Sequence, residues 1–127
     1  MAKAIFLMKR IPGITKDQFR THYETVHIPL ALKYIGHLLV DYKRNYPIMA
    51  VLDPANPAEG NYDCGYDCIT EMWVEKDEDL AEMARIFASP EISPLLREDE
   101  ARFLDSKAAV MILSDEVSTD LSAWKKL

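Results

Sequence analysis

The sequence predicts an α+β fold in which four strands and two or three helices form one domain. Two observations carry this prediction. Apolar segments of strand length alternate with amphipathic segments of helix length, and the elements follow the order β-α-β-β-α-(α)-β. The length of 127 residues is also typical of one domain with one hydrophobic core. We therefore expect residues 1–127 to form a single domain.

The first strand and the start of the first helix have clear local signals. Residues 3–9 are apolar at nearly every position, which is typical of a strand covered on both faces. A turn through Pro12 and Gly13 follows. Thr15 and Gln18 then have the spacing of a capping box, in which the N-cap and the third helical residue exchange hydrogen bonds. The sequence therefore predicts a helix that begins near residue 16.

This first helix is predicted to extend to about residue 34 and to be interrupted in its middle. Pro29 has no amide to donate to the Thr25 carbonyl, which predicts a kink or break beside His27. An α-helical period places His22 on the outer, solvated side. The same period predicts a buried stripe made of Phe19, Tyr23, Val26, His27, Leu30 and Tyr34.

Two strands separated by a long loop follow the helix. Residues 37–46 alternate, with Tyr42 and Tyr46 on the more apolar face. Residues 47–65 contain three prolines and two glycines and have no clear period, so we expect a functional lid or a mobile loop. Residues 66–74 alternate again and predict the third strand.

The second half of the chain contains further helices and the last strand. Acidic residues 77–79 favour a helix start, and Ser89-Pro90 ends that helix. Ser93 and Pro94 can begin a short helix as N-cap and first residue, and residues 108–113 predict an apolar strand. This order of elements is the ferredoxin-like βαββαβ arrangement, with helices on one face of an antiparallel sheet.

The second face of the sheet predicts a homodimer. The first and last strands are apolar on both faces, while the helices of this topology cover only one. A single copy would expose Ile69 and Trp73. The simplest cover is the same face of a second copy. We therefore expect a homodimer that closes sheet against sheet.

Composition and charge exclude several other functional classes. The net charge of −6 and the absence of a basic stripe argue against nucleic acid or an anionic membrane as the partner. No stretch has the length of apolar sequence that a membrane helix needs. Cys64 and Cys68 are too few for a disulfide scaffold and lack zinc-finger spacing, so we expect reduced thiols, no metal and a cytoplasmic location.

Several residues are candidates for chemistry on a small molecule. An imidazole ordinarily titrates near neutral pH, so His27 can serve as a general base and acid, or it can be a core histidine with satisfied nitrogens. Tyr23 lies one helical turn before it and could orient it or stabilise an oxyanion. Strand alternation places Asp67 on the face of Trp73 as an interface residue, although a bulge could turn it toward His27 as an orienting carboxylate.

Three motifs give the chain a family resemblance. They are K-R-x-P-G-x-T-x-x-x-F at residues 9–19, the His27-Ile-Pro29 step in the helix, and Y-D-x-x-x-E-x-W at residues 66–73. The sequence thereby resembles the EthD-type domains of the dimeric α/β-barrel superfamily, over roughly residues 3 to 116. The resemblance implies a ferredoxin-like domain that pairs into a dimeric α/β barrel.

The resemblance also implies a type of site. Relatives in the superfamily include methylmuconolactone isomerases, polyketide cyclases and dehydratases, and hydroxynitrile lyases, several of which act without a metal or cofactor and keep a histidine between helices and sheet. Similarity to the methylmuconolactone methylisomerases places that histidine on His27 and a tyrosine on Tyr42. Those enzymes have a cysteine where this chain has Met72, and Cys68 lies four residues earlier on the same face.

The leading hypothesis is a cofactor-independent lyase or isomerase that acts on a small aromatic, lactone or polyketide-like substrate. His27, Tyr23 and Tyr42 are its predicted catalytic residues. The predicted substrate-binding residues are Tyr46, Asp67, Cys68 and Met72. Two alternatives remain open: a haem-degrading or quinol-type monooxygenase, and a non-catalytic accessory protein that binds a small ligand.

Overall fold

Four antiparallel strands form one sheet in the computed structural model, which describes residues 2–51, 53–56 and 63–126. Their order across the sheet is β2-β3-β1-β4, with every neighbouring pair antiparallel. The structure confirms the α+β class and the predicted order of elements. The strands are β1 (Ala2–Met8), β2 (Leu39–Asn45), β3 (Cys68–Val74) and β4 (Val110–Asp115).

Helices follow β1 and β3 along the chain and pack on one face of the sheet. The predicted capping box is present, since the Gln18 amide donates to Thr15 Oγ1 over 3.0 Å and the Thr15 amide donates to Gln18 Oε1 over 2.8 Å. No helix in the described part of the chain is long and apolar enough to cross a bilayer. The α-helices are α1 (Lys16–His22), α2 (Ile28–Ile35), α3 (Glu78–Ala88) and α4 (Ser93–Glu100).

A π-helical turn, Tyr23–His27, joins α1 to α2. The Ile28 amide donates to the Tyr23 carbonyl, five residues back, where an α-helix would bond four residues back. Pro29 stands at the start of α2 and has no amide to donate. Pro29 therefore marks a real irregularity beside His27, but in place of the expected kink or break the structure has a widened turn within one continuous helical segment.

The π-turn changes which side chains face inward. Residues five apart on an α-helix point about 140° away from each other, whereas a turn closed over five residues brings them to the same side. His22 and His27 therefore both face the interior, and the expectation that His22 is solvated was wrong. Val26, expected on the buried stripe, is instead 45% exposed.

The core lies between the helices and the alternate residues of β3. Cys68, Thr70, Met72 and Val74 are all buried on that face. One apolar cluster is formed mainly by β3, α2 and α3, and a second lies beneath α1 and the π-turn around the fully buried Phe103. The second cluster is the one that supports the candidate site.

The opposite face of the sheet carries an apolar centre beside a polar network. Ile5 pairs in register with Ile112, and Leu7 pairs with Ile69 and Val110. Beside them Lys3 Nζ lies 2.7 Å from Glu71 Oε2, and Trp73 Nε1 donates to Glu116 Oε1 over 2.6 Å. Glu71 thus has a cationic partner within its own chain.

Candidate active site

The imidazole of His27 is held by a carboxylate from α4. His27 Nδ1 lies 2.9 Å from Asp99 Oδ2, and both residues are buried. Because a carboxylate accepts hydrogen bonds, this contact favours the neutral tautomer that carries its proton on Nδ1. The lone pair of the second ring nitrogen, Nε2, is then available as a base.

The other oxygen of the same carboxylate contacts a second imidazole. His22 Nε2 lies 2.9 Å from Asp99 Oδ1, and Arg102 Nη1 donates to this oxygen over 3.3 Å. Burial tends to raise the pKa of Asp99, but the hydrogen bonds from His27 and His22 outweigh it and hold that pKa below its ordinary value. Asp99 is therefore an ionised carboxylate at neutral pH.

The ring of Phe103 fixes the positions of the site's aromatic side chains. Its centroid lies 4.9 Å from that of His27, 5.0 Å from that of His22 and 5.8 Å from that of Tyr23, with which it is stacked. Phe103 is fully buried. The two imidazoles therefore have little freedom to rotate away from Asp99.

Two tyrosines form a buried hydroxyl chain next to His27. Tyr23 Oη lies 2.7 Å from Thr70 Oγ1 and 2.8 Å from Tyr42 Oη. Burial raises the pKa of Tyr42 to about 12 and raises the pKa of Tyr23 further above its ordinary value. Both phenols are therefore protonated at neutral pH and can donate hydrogen bonds.

An ion pair ties the π-turn to β2. Arg44 donates to both carboxylate oxygens of Glu24, over 3.0 and 2.9 Å, and its Nη1 donates to the Tyr42 carbonyl over 3.2 Å. The guanidinium also lies 4.9 Å from the centroid of the Tyr42 ring. This arrangement holds the backbone of Tyr42 at a fixed distance from the turn that carries Tyr23 and His27.

A cavity of about 280 Å³ lies between the helices and the sheet, next to His27 and the two tyrosines. His27, Tyr23, Tyr42 and Met72 all line it. Arg97, Glu100 and Ser106 supply further polar groups. The rest of the wall is apolar and includes Phe6, Met8, Ala31, Phe87, Leu96 and Met111. The cavity thus combines an apolar wall with a few convergent polar groups, as small-molecule sites do.

Tyr46 and Asp67 do not line this cavity. The Tyr46 hydroxyl donates to Glu24, and the Arg20 guanidinium lies 4.1 Å from the Tyr46 ring. Asp67 accepts hydrogen bonds from the backbone amide and the guanidinium of Arg10, each over 2.8 Å. Asp67 therefore anchors the chain near the end of β1, and the carboxylate that orients His27 is Asp99.

Cys68 is also absent from the cavity wall, although it lies on the expected face of β3. Its side chain is fully buried beneath the π-turn, with Sγ 3.5 Å from Thr70 Oγ1. Burial raises the pKa of this thiol to about 11, so it carries almost no thiolate at neutral pH. Of the four predicted substrate-binding residues, the structure brings only Met72 to the cavity.

The described residues of the predicted lid do not line the cavity beside His27. The loop at 47–65 falls partly outside the described residues, and none of its described positions is among those that line the His27 cavity. In the described ranges, no group of three or more His, Cys, Asp or Glu side chains is arranged to hold a metal ion.

Asp99 is the residue that sequence analysis missed. It lies in a run of four charged residues, REDE, that resembles a solvated helix face. A signal was nevertheless present, because Leu96, Asp99 and Phe103 recur at three- and four-residue steps. An acidic residue on an apolar stripe indicates a buried carboxylate with a partner.

Comparison with known families decides the classification. The model of the EthD domain matches residues 11–107. The chain belongs to the EthD domain family. Comparison with curated proteins gave no match.

Solved structures support the fold of this EthD domain. An EthD family protein of Bacillus halodurans is 20% identical, with 92% of this chain and 100% of that chain covered and a TM-score of 0.60. An EthD-like protein of Ralstonia eutropha is 13% identical, with 94% and 95% covered and a TM-score of 0.65. A dimeric protein of unknown function with a ferredoxin-like fold, from Bacteroides fragilis, is 11% identical, with 91% and 95% covered and a TM-score of 0.54.

Proposed function

We propose that this EthD domain protein is a cofactor-independent lyase or isomerase in which His27 transfers a proton. The observation that carries the proposal is the contact between His27 Nδ1 and Asp99, which leaves Nε2 as a base on the wall of a mostly apolar cavity. A histidine that served only the core would have no need of a buried carboxylate partner, since burying that charge is costly.

The proposed reaction begins at a carbon next to a carbonyl group. His27 Nε2 takes a proton from this carbon, and the electron pair of the C–H bond moves into the carbonyl to form an enolate. Asp99 stabilises the resulting imidazolium, and the phenol of Tyr42, which is held by its contact with Tyr23 Oη, donates to the enolate oxygen. In an isomerase His27 then returns the proton to another atom, whereas in a lyase a leaving group departs and takes the proton.

The cavity favours a small, largely apolar substrate with an oxygen-bearing ring. Its volume is near the lower end of the range for ligand sites. The walls suit the flat face of an aromatic, lactone or polyketide-like ring, and the tyrosine hydroxyls provide the donors that a carbonyl oxygen requires. The Arg97 guanidinium can form an ion pair with an anionic substituent of the substrate.

Solvent-deuterium exchange tests this proposal before the natural substrate is known. A panel of aryl ketones, lactones and short polyketide mimics is incubated with the protein in D2O, and loss of the α-proton signal is followed by NMR. We expect faster exchange for at least one class, and expect it to depend on His27. Binding of panel members with no exchange beyond the protein-free rate would instead favour a non-catalytic carrier, and a Soret band on haemin titration that is lost in His27→Ala would favour the monooxygenase alternative.

We also propose that the protein is a homodimer whose two copies cover each other's open sheet face. Support comes from the apolar centre of that face, where Ile5 and Ile112 pair in register, and from the dimeric neighbour of the same fold. A charge placed there would be desolvated by the partner sheet without a compensating pair.

Ile112→Glu is therefore expected to convert the dimer to a monomer, and light scattering measures the change in mass. Ile112 is 40% exposed in the single chain, and Leu32, which is 37% exposed on α2, provides the matched control Leu32→Glu. This control should remain a dimer. A single-chain mass for the wild-type protein at micromolar concentration would contradict the proposed dimer.

A further inference from the structure

Asp99 connects an imidazole inside the cavity to one closer to the surface. Its Oδ2 contacts His27 Nδ1 and its Oδ1 contacts His22 Nε2, each over 2.9 Å. The side chain of His22 is 24% exposed, compared with 11% for His27 and 4% for Asp99. His22 does not line the cavity and therefore has no contact with a substrate bound there.

The charged groups around this pair come from α4 and the turn after it. Arg102 donates to Asp99 Oδ1 over 3.3 Å, and its second terminal nitrogen donates to Glu98 over 3.3 Å. Phe103 packs against both imidazoles. Arg102 is thus partly neutralised by Glu98, which leaves Asp99 as the ionised group in direct contact with both rings.

We propose that His22 controls the base strength of His27 through Asp99. This inference rests on the proposed role of His27 as a base. When His22 is neutral, only Arg102 competes for the carboxylate, and Asp99 stabilises the imidazolium that forms on His27 during proton transfer. When His22 carries a proton, that charge is already compensated, and a second imidazolium on the same carboxylate is electrostatically unfavourable. Protonation of His22 therefore weakens His27 as a base and makes the site sensitive to pH.

The two imidazoles that share Asp99 differ in hydration. His22 is the more exposed of the two rings, and water stabilises the charged form of an imidazole. A proton on His22 and a proton on His27 would face the same carboxylate, and each therefore disfavours the other. The two rings form a coupled pair, and His22 acts as a positioning and regulating residue without contact to the reacting atoms.

NMR titration of the histidine rings tests this coupling. The chain has three histidines, so the spectrum of a ring-labelled sample is simple, and the exposed His37 is an internal reference. His22→Gln keeps an N–H donor for Asp99 but cannot take up a proton. We expect the midpoint of the His27 titration to rise by about 0.5 pH unit or more in this variant, and expect His37→Gln to leave it unchanged.

The wild-type chain provides a second readout that needs no substitution. There the His27 resonance should follow two steps, one of which coincides with the His22 titration. A single-step His27 curve in the wild-type chain, with the same midpoint in His22→Gln, would overturn the inference. The titration needs no substrate, so the two proposals can fail separately. If His22 and His27 are coupled but no substrate exchanges its proton, only the proposed function is contradicted. If a substrate exchanges its proton but the two histidines titrate independently, only this inference is contradicted.

Discussion

His27→Gln is expected to lower the rate of catalysed proton exchange by about 100-fold or more, since a positioned general base contributes on the order of 10² to 10⁴ in rate. The glutamine amide can still contact Asp99, but it cannot accept and return a proton at neutral pH. The cavity wall and the tyrosine hydroxyls remain in place, so ligand binding should change little. The measurement is the initial rate of deuterium incorporation into the most reactive compound of the panel.

His37→Gln is the matched control for this experiment. His37 is an exposed residue in the short helical turn before β2 and is not among the residues that line the His27 cavity, and the substitution makes the same chemical change. Its exchange rate should equal that of the wild type within a factor of two. If His27→Gln also stayed within a few-fold of the wild type, His27 could not be the general base.

Phe103→Ala is expected to have the largest effect on stability of any substitution near the site. Removing a fully buried phenylalanine costs about 3–5 kcal/mol in the free energy of unfolding, because it forfeits transfer free energy and leaves a cavity. The lost ring contacts Phe19, Tyr23, His22 and His27, so the four side chains around it cannot easily close the gap. Chemical denaturation of wild-type and variant proteins measures the difference.

Phe87→Ala is the matched control for stability. Phe87 lies at the cavity wall and is only partly buried, so its removal should cost less than half as much. Phe103→Leu keeps most of the volume and should fall between the two. Equal losses for Phe103→Ala and Phe87→Ala would show that Phe103 has no special role in supporting the imidazoles.

Much of the fold could be predicted because its signals are local. The first and last strands are visible as continuous apolar runs and the two middle strands as alternating apolar side chains. The helix start at Thr15 is visible in a capping box whose two hydrogen bonds both form. The order of elements then leaves few topologies for an antiparallel sheet. The observed strands begin or end up to two residues away from the predicted limits, because the neighbouring strand decides which terminal residues form ladder hydrogen bonds.

The arrangement of the site could be predicted only in part, because one backbone feature changed the period of the helix. Pro29 indicated a break beside His27, but its sequence position does not say whether the helix bends, ends or widens. The π-turn that forms brings His22 to the side of His27 and moves Val26 outward. An extrapolated α-helical period gives the opposite assignment for both residues.

The carboxylate partner could not be chosen from strand parity. Asp67 lies in a family motif and is acidic, but the nearby Arg10 backbone amide and guanidinium satisfy it. Asp99 comes from a helix 72 residues away from His27 along the chain, and that contact depends on how α4 packs against the π-turn. Tertiary packing therefore decided which of two plausible acids became the partner of the base.

The ring ¹⁵N spectrum of His27 tests the central claim most directly, because it reports which nitrogen carries the proton. At a pH above the titration of the histidines, we predict a protonated Nδ1 bound to Asp99 and an unprotonated Nε2 whose signal shifts when a cavity ligand is added. In Asp99→Asn this preference should be lost or reversed. A wild-type His27 with its proton on Nε2 and no response to ligand would contradict the account.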